Sequence, residues 1–268
     1  MTPQLVTRYL ELLGVPAGPP GVDQLHALVQ AQVYRVPFET VSKLYYMKRF
    51  GRQTIPDLET YLDGVERYHF GGTCYTTNYY FNQLLAHLGY DVQLCGADMS
   101  DSDVHMVSML ELEQRQYLID VGYAAPFAVP LPRDLQTDYE IQLGNTRYVL
   151  RPQDAQGCSR IELHRDGELK HGYLAKPEPR AFAEFADVIH DSYSSKAEFM
   201  NSLLLARFFP NRSLVIRNLS VVDSRGPEFT RRTLANRNEL IGFIASDFGI
   251  PPHITAEAID GLSALEGA

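Results

Sequence analysis

Tryptophan is absent from this chain of 268 residues, and its aromatic content rests on 16 tyrosines and 13 phenylalanines. Cysteine is scarce too. Cys74, Cys95 and Cys158 are too few and too irregularly spaced for a disulfide framework, and without a Cys-x-x-Cys pair they make no zinc site, so no metal is expected. No apolar run is long enough to cross a bilayer, so no membrane partner is expected. The opening residues, Met1-Thr2-Pro3-Gln4-Leu5, have no basic stretch leading into an apolar core, which argues against a signal peptide and for a cytoplasmic location. Positive charge is also in deficit: the net charge of −9 argues against general nucleic-acid binding. Internal repeats and low-complexity tracts are missing.

What is present reads as an ordinary globular protein, 45% hydrophobic and 21% charged, with enough chain for one large domain or two to three small ones. Apolar residues recur at helical spacing in the first 88 residues: Leu5-Tyr9-Leu12-Leu13 closed by Gly14, Leu25-Leu28-Val29-Val33 closed by Pro37, and Leu58-Tyr61-Leu62-Val65. A fourth set starts near Thr73 and runs through Tyr79, Tyr80, Leu84, Leu85 and Leu88 to Gly89. The period then shortens. Asp91 to Cys95, His105 to Leu112, Tyr117 to Val121, Tyr139 to Leu143, Thr146 to Leu150 and Ser159 to His164 read as closely spaced strands of a small antiparallel barrel or sheet. Beyond residue 180 the pattern is mixed. Phe182 to Val188 and Ser195 to Phe208 read as helix, Ser213 to Val222 as a strand, and Asn238 to Phe248 as a final helix ended by Gly249. The expected class is α+β with three regions: helices at 1–89, strands at 90–180 and a mixed part at 181–268.

One ordered set stands out. Cys74 follows Gly71-Gly72 at the start of the fourth helix, His105 lies 31 residues on, and Asp120 a further 15. Each residue singly has an ordinary structural use; together they can be brought to one place. A turn centred on Glu113-Gln114 sets Val107 opposite Asp120 and His105 opposite Gly122. His105 and Asp120 are then diagonal neighbours on one face, roughly 7–8 Å apart at the backbone. Asp120 there is expected to accept the imidazole Nδ1–H, leaving the other ring nitrogen to take a proton from a thiol. Cys74 in the first helical turn feels the positive end of the helix dipole, and the unpaired amides there suit an oxyanion.

These residues resemble the arylamine N-acetyltransferase family. Val36-Pro37-Phe38-Glu39 is similar to its Ile-Pro-Phe-Glu-Asn, and Gly71-Gly72-Thr73-Cys74 with Asn78 to its Arg-Gly-Gly-x-Cys-x-Glu-x-Asn. His105-Met106 followed by Leu118-Ile119-Asp120-Val121-Gly122-Tyr123 resembles His-Met…Val-Asp-Val-Gly-Phe-Gly, and Asp247-Phe248-Gly249-Ile250 the closing helix. The resemblance implies an N-terminal helical bundle, a central β-barrel and a C-terminal α/β lid around a core similar to the cysteine proteases. It also implies ping-pong transfer from acetyl-CoA to an arylamine, arylhydrazine or N-hydroxyarylamine. Cys74 would carry the acetyl group as a thioester, His105 would be general base and then acid, and Asp120 would orient His105. Tyr123, Ala125 and Phe127 match positions lining the acceptor pocket, with Phe38 expected beside them.

The chain departs from that pattern at Phe70, where the family has arginine, at Thr76, where it has glutamate, and at Ala124 in place of a glycine. Between residues 200 and 240 seven arginines face three acids, a local charge of +4. Arg207, Arg212, Arg217, Arg231 and Arg232 are therefore candidates for the phosphates of coenzyme A. Three rival readings remain: an amide synthase of secondary metabolism with a carrier-bound acyl donor, a transglutaminase-like cysteine hydrolase, and a binding protein on an inactive scaffold.

Overall fold

All four N-terminal apolar stripes form helices, and their ends show why they stop there. In the computed structural model, which describes residues 1–265, α1 (Pro3–Leu13) starts on Thr2, whose hydroxyl accepts the Leu5 N–H, and ends on left-handed Gly14. Next come α2 (Val22–Arg35), the two-residue strand β1 (Phe38–Glu39) and α3 (Val41–Phe50). The sequence pattern does not single out α3, because its apolar face, Val41 and Leu44, is short and broken by Lys43. Asp57 caps α4 (Leu58–Tyr68) through the Thr60 N–H at 2.8 Å, and α5 (Cys74–His87) begins one residue after Thr73.

The strands follow as β2 (Val92–Asp98), β3 (His105–Leu112), β4 (Arg115–Ile119), β5 (Leu131–Pro132), β6 (Tyr139–Leu143), β7 (Thr146–Leu150), β8 (Ser159–Arg165) and β9 (Glu168–Pro179). They form one antiparallel sheet in the order β5-β4-β3-β2-β9-β8-β7-β6. Its inner face curls on itself into a nearly closed barrel, because Val107, Leu118 and Phe127 from one end pack in one cluster with Tyr148, Leu150 and Ile161 from the other. Strand β9, 12 residues long, carries no alternating apolar signal in the sequence.

The last third contains α6 (Ala186–Asp191), α7 (Glu198–Asn201), β10 (Leu204–Phe209), β11 (Arg212–Arg217), β12 (Ser220–Arg225), β13 (Glu228–Thr233), α8 (Arg237–Phe248) and α9 (Pro252–Ile259). Two expectations are corrected here. The apolar run at the end of Ser195–Phe208 is a strand, not a helix: β10 lies between β1 and β11 in a five-stranded sheet, and a strand buried on both faces loses the alternation that marks strands. Ser213 to Val222 is two strands rather than one, turned at Asn218, whose φ is 52°. Through β1 the N-terminal part lends two residues to this sheet, with Phe38 opposite Ala206 and Glu39 opposite Leu205. Among the described residues no helix is long and apolar enough to cross a membrane.

Candidate active site

The loop entering α5 is tied to β1 so closely that one position admits only glycine. A side chain on Gly71 would place its Cβ 1.6 Å from the Pro37 carbonyl oxygen. The Glu39 carboxylate, fully buried, accepts the N–H groups of Gly71 (3.0 Å), Gly72 (2.8 Å) and Ser42 (2.8 Å), and the Glu39 N–H donates to the Gly72 carbonyl. This anchoring fixes where α5 begins. Cys74 is its first residue, half-buried; the Thr76 N–H already donates to the Thr73 carbonyl at 3.0 Å, while the amides of Cys74 and Tyr75 come before any intrahelical acceptor.

The hairpin arrives in the expected register: Leu112 pairs with Arg115 and Ser108 with Ile119, around Glu113 and Gln114 in left-handed conformations. One step further puts Val107 level with Asp120. His105 Nε2 lies 2.8 Å from Asp120 Oδ2, and both residues are buried. The nitrogen is a correction: Nε2, not Nδ1, faces the carboxylate. A diagonal pair needs the longer reach, and Nε2 is farther from the backbone than Nδ1. Nδ1 is thus the ring nitrogen left for the thiol.

Gly122 brings hairpin and helix together, since a Cβ there would sit 2.7 Å from the Cys74 Cα and 2.5 Å from Thr77 Oγ1. Asn78, one turn after Cys74, ties the two elements. Its Nδ2 donates to the Met106 carbonyl (2.7 Å) and Asp120 Oδ1 (2.8 Å), and its Oδ1 accepts the Val121 N–H (2.8 Å). Tyr173 on β9 donates its hydroxyl to Asp120 Oδ2 at 2.8 Å. Asn78 appears in the sequence motif but receives no role from it. Tyr173 is invisible there, because its strand is. Asn78 four residues after the cysteine is the signal that could have found the former.

These contacts set the charges. Burial opposes ionisation of Asp120, but His105, Asn78 and Tyr173 outweigh it and hold the carboxyl below its ordinary value. Burial likewise opposes a charged His105, yet Asp120 and Cys74, each by charge and by hydrogen bond, raise the imidazole to about 10. The charged form of His105 is thereby favoured, beside a cysteine.

Of the expected acceptor residues, Tyr123 stacks on Phe127 with ring centroids 6.0 Å apart and meets His105 edge-on at 5.7 Å, while Ala125 is buried in the barrel cluster beside them. Phe38 sits in the helical cluster instead, edge-on to Phe199 at 5.8 Å. Tyr123 also lies 2.6 Å from Nδ1 of His171 through its hydroxyl.

The five arginines are not gathered. Arg212 grips Asp223 with two nitrogens (2.9 and 3.0 Å), Arg217 pairs with Glu198 (2.7 Å), and Arg207 donates to the Asp247 carbonyl (2.6 Å). Arg231 and Arg232 lie on the exposed edge strand β13, without an ion pair among the described residues, and Arg232 lies over the Phe243 ring. Among the described residues no group of three or more His, Cys, Asp or Glu is placed to hold a metal.

Phe70 and Thr76 are both buried and line one small cavity. Phe70 packs against Tyr45, Tyr46 and Tyr68 at 5.4–6.0 Å.

The sequence model of a family described as N-acetyltransferase matches residues 21–256. Among curated proteins, proansamycin X synthase of Amycolatopsis mediterranei is 32% identical over 152 residues, 51% of this chain and 56% of that protein. The pineal gland arylamine N-acetyltransferase isozyme of Gallus gallus is 27% identical over 124 residues, 43% of this chain and 41% of its own. The matched stretches thus span about half the length of these relatives. Among solved structures, the arylamine N-acetyltransferase of Nocardia farcinica superposes with TM-score 0.79 at 23% identity, over 96% of this chain and 94% of that one. The Mycobacterium marinum enzyme in complex with CoA gives 0.79 at 21% identity, over 96% and 99%. These structures share the fold, and with the family match over most of its length the chain belongs to the arylamine N-acetyltransferase family.

Proposed function

We propose that the protein transfers an acetyl group from acetyl-CoA to an arylamine, arylhydrazine or N-hydroxyarylamine through a thioester on Cys74. The observation that carries this reading is the half-buried Cys74 at the start of α5, set beside a buried His105–Asp120 pair held at 2.8 Å. In this mechanism the Cys74 sulfur attacks the acetyl carbonyl of the donor. The new C–S bond forms as the donor's C–S bond breaks, and His105 gives its proton to the leaving thiol of coenzyme A. First-turn amides of α5 face the transient oxyanion. The acceptor nitrogen then attacks the thioester while His105 removes its proton, and Cys74 leaves as thiolate. Asp120 holds the imidazole ring and balances its charge throughout, with Asn78 and Tyr173 holding Asp120.

Tyr123, Ala125 and Phe127 form the acceptor wall in this reading, and Phe38 contributes from the other cluster. Arg207, Arg212 and Arg217 are engaged by partners within the protein, so contacts to the donor's phosphates fall first to Arg231 and Arg232. The division at 1–89, 90–180 and 181–268 belongs to the same proposal, as does a cytoplasmic location.

Steady-state kinetics with acetyl-CoA and an arylamine varied together test the mechanism. Parallel double-reciprocal lines are expected; intersecting lines would contradict a covalent acetyl-enzyme. The match to proansamycin X synthase favours a second reading, an amide synthase with a carrier-bound acyl donor. Acylation of Cys74 by a carrier-bound thioester, with none from acetyl-CoA, would select it.

A further inference from the structure

One buried cation beside the site is unused by the mechanism. Lys43, on α3, is 7% exposed, and no carboxylate lies within ion-pair distance of it among the described residues. Its Nζ donates to Ser192 Oγ at 2.7 Å and lies 4.0 Å from the centre of the Tyr193 ring. It lines a cavity of about 20 Å³, room for about one water molecule, together with Phe70, Gly71, Gly72, Thr73 and Thr76. Those are the residues that lead the chain into Cys74, and two of them are the positions where the family's arginine and glutamate are missing.

We propose that Lys43 is a positioning residue for the nucleophile: its buried ammonium supplies to Cys74, independently of His105, a positive charge from the cavity that Phe70 and Thr76 line. A charge so placed needs a counter-charge, since burial of an unpaired ammonium is unfavourable. Glu39 makes no ion pair with it; its oxygens accept from Ser42, Gly71 and Gly72. Arg52 is over the Tyr46 ring at 5.6 Å, and Tyr46, Tyr61 and Tyr193 border the cavity as neutral phenols. Burial pulls the ammonium down to about 8, and a negative charge on Cys74 would oppose that pull. The coupling is mutual: if the thiolate raises the proton affinity of Lys43, the protonated Lys43 favours the thiolate by the same free energy.

The proposal rests on Cys74 as the nucleophile but not on any acyl donor, so its test uses none. Iodoacetamide alkylation of Cys74 is followed against pH, reading the Cys74 peptide by mass spectrometry so that Cys95 and Cys158 do not contribute. Lys43→Met should move the pH profile of alkylation up by about one unit, slowing the reaction by up to about tenfold on the acid side of its midpoint. Lys43→Gln, which keeps a hydrogen-bonding end without the charge, should do the same, and Lys43→Arg should recover the reactivity. A folded Met or Gln variant with the native rate and profile overturns the proposal, and so does an Arg variant as slow as Met. In the unsubstituted protein, the preference for anionic iodoacetate over neutral iodoacetamide should fall as pH rises through about 8. A constant ratio across that range also contradicts the role, whether or not the variants fold.

Discussion

Two regions of this molecule look equally promising in the sequence, and only one of them becomes a site by geometry alone. His105 and Asp120 are 15 positions apart yet end 2.8 Å apart, whereas the seven arginines crowded between residues 200 and 240 are spread over four strands and the start of α8, and three of them are ion-paired to acids of this chain. The difference lies in what converts sequence distance into space. A tight turn with period-2 strands fixes register, so a spacing becomes a position. Charge density fixes nothing: Arg212 and Arg217, at the two ends of β11, lie roughly 16 Å apart along the strand.

Substitutions in the two regions should therefore differ in size. Cys74→Ser sets the largest effect, a loss of turnover of about 10⁴-fold or more. The variant should still fold, and retained activity would remove Cys74 from its role. Asp120→Asn comes next, at between about 10²- and 10⁴-fold in kcat, because the amide cannot balance a charged imidazole. The same variant should change the pH dependence of stability. His105 is raised from 6.5 to about 10 in the folded protein, so its contribution is complete below pH 6.5 and is lost as pH rises through about 10. Melting curves recorded from pH 6 to pH 10 should show that loss in the native chain and a flatter trend in Asp120→Asn; identical trends would show the pair is uncoupled.

Asn78→Ala leaves the Met106 carbonyl and the Val121 N–H without their side-chain partner, which costs about 2–4 kcal/mol of stability measured by denaturant unfolding. Tyr173→Phe removes one donor to Asp120 and should lower kcat about tenfold, a net effect near 1.4 kcal/mol. The smallest change belongs to the other region. Reversing Arg231 and Arg232 together to Glu should raise the Michaelis constant for acetyl-CoA about three- to tenfold with little change for the acceptor. No change would leave β13 without a part in donor binding, and a loss as large as that of Asp120→Asn would erase the contrast between the regions.

Legibility in the sequence follows the same physics. The N-terminal stripes, the Gly71-Gly72 entry to α5 and the hairpin register are local, and each could be read from spacing and turn residues. What escaped depends on partners distant in sequence. Strand β10 reads as helix because both its faces are buried, and β9 carries Tyr173 to Asp120 across 53 residues with no alternation to announce it. The choice of Nε2 over Nδ1 is a matter of reach, which residue spacing does not encode. Lys43 breaks an apolar face without any visible reason until Ser192, Tyr193 and the loop before Cys74 are seen around it.

The most direct measurement is intact-protein mass spectrometry after brief incubation with acetyl-CoA, followed by addition of an arylamine or hydrazine. One acetyl group should appear on Cys74 and leave when the acceptor is added. A protein that gains no acetyl group while Cys74 is still readily alkylated, or that gains one elsewhere and turns over from it, would contradict the central role given to this thiol.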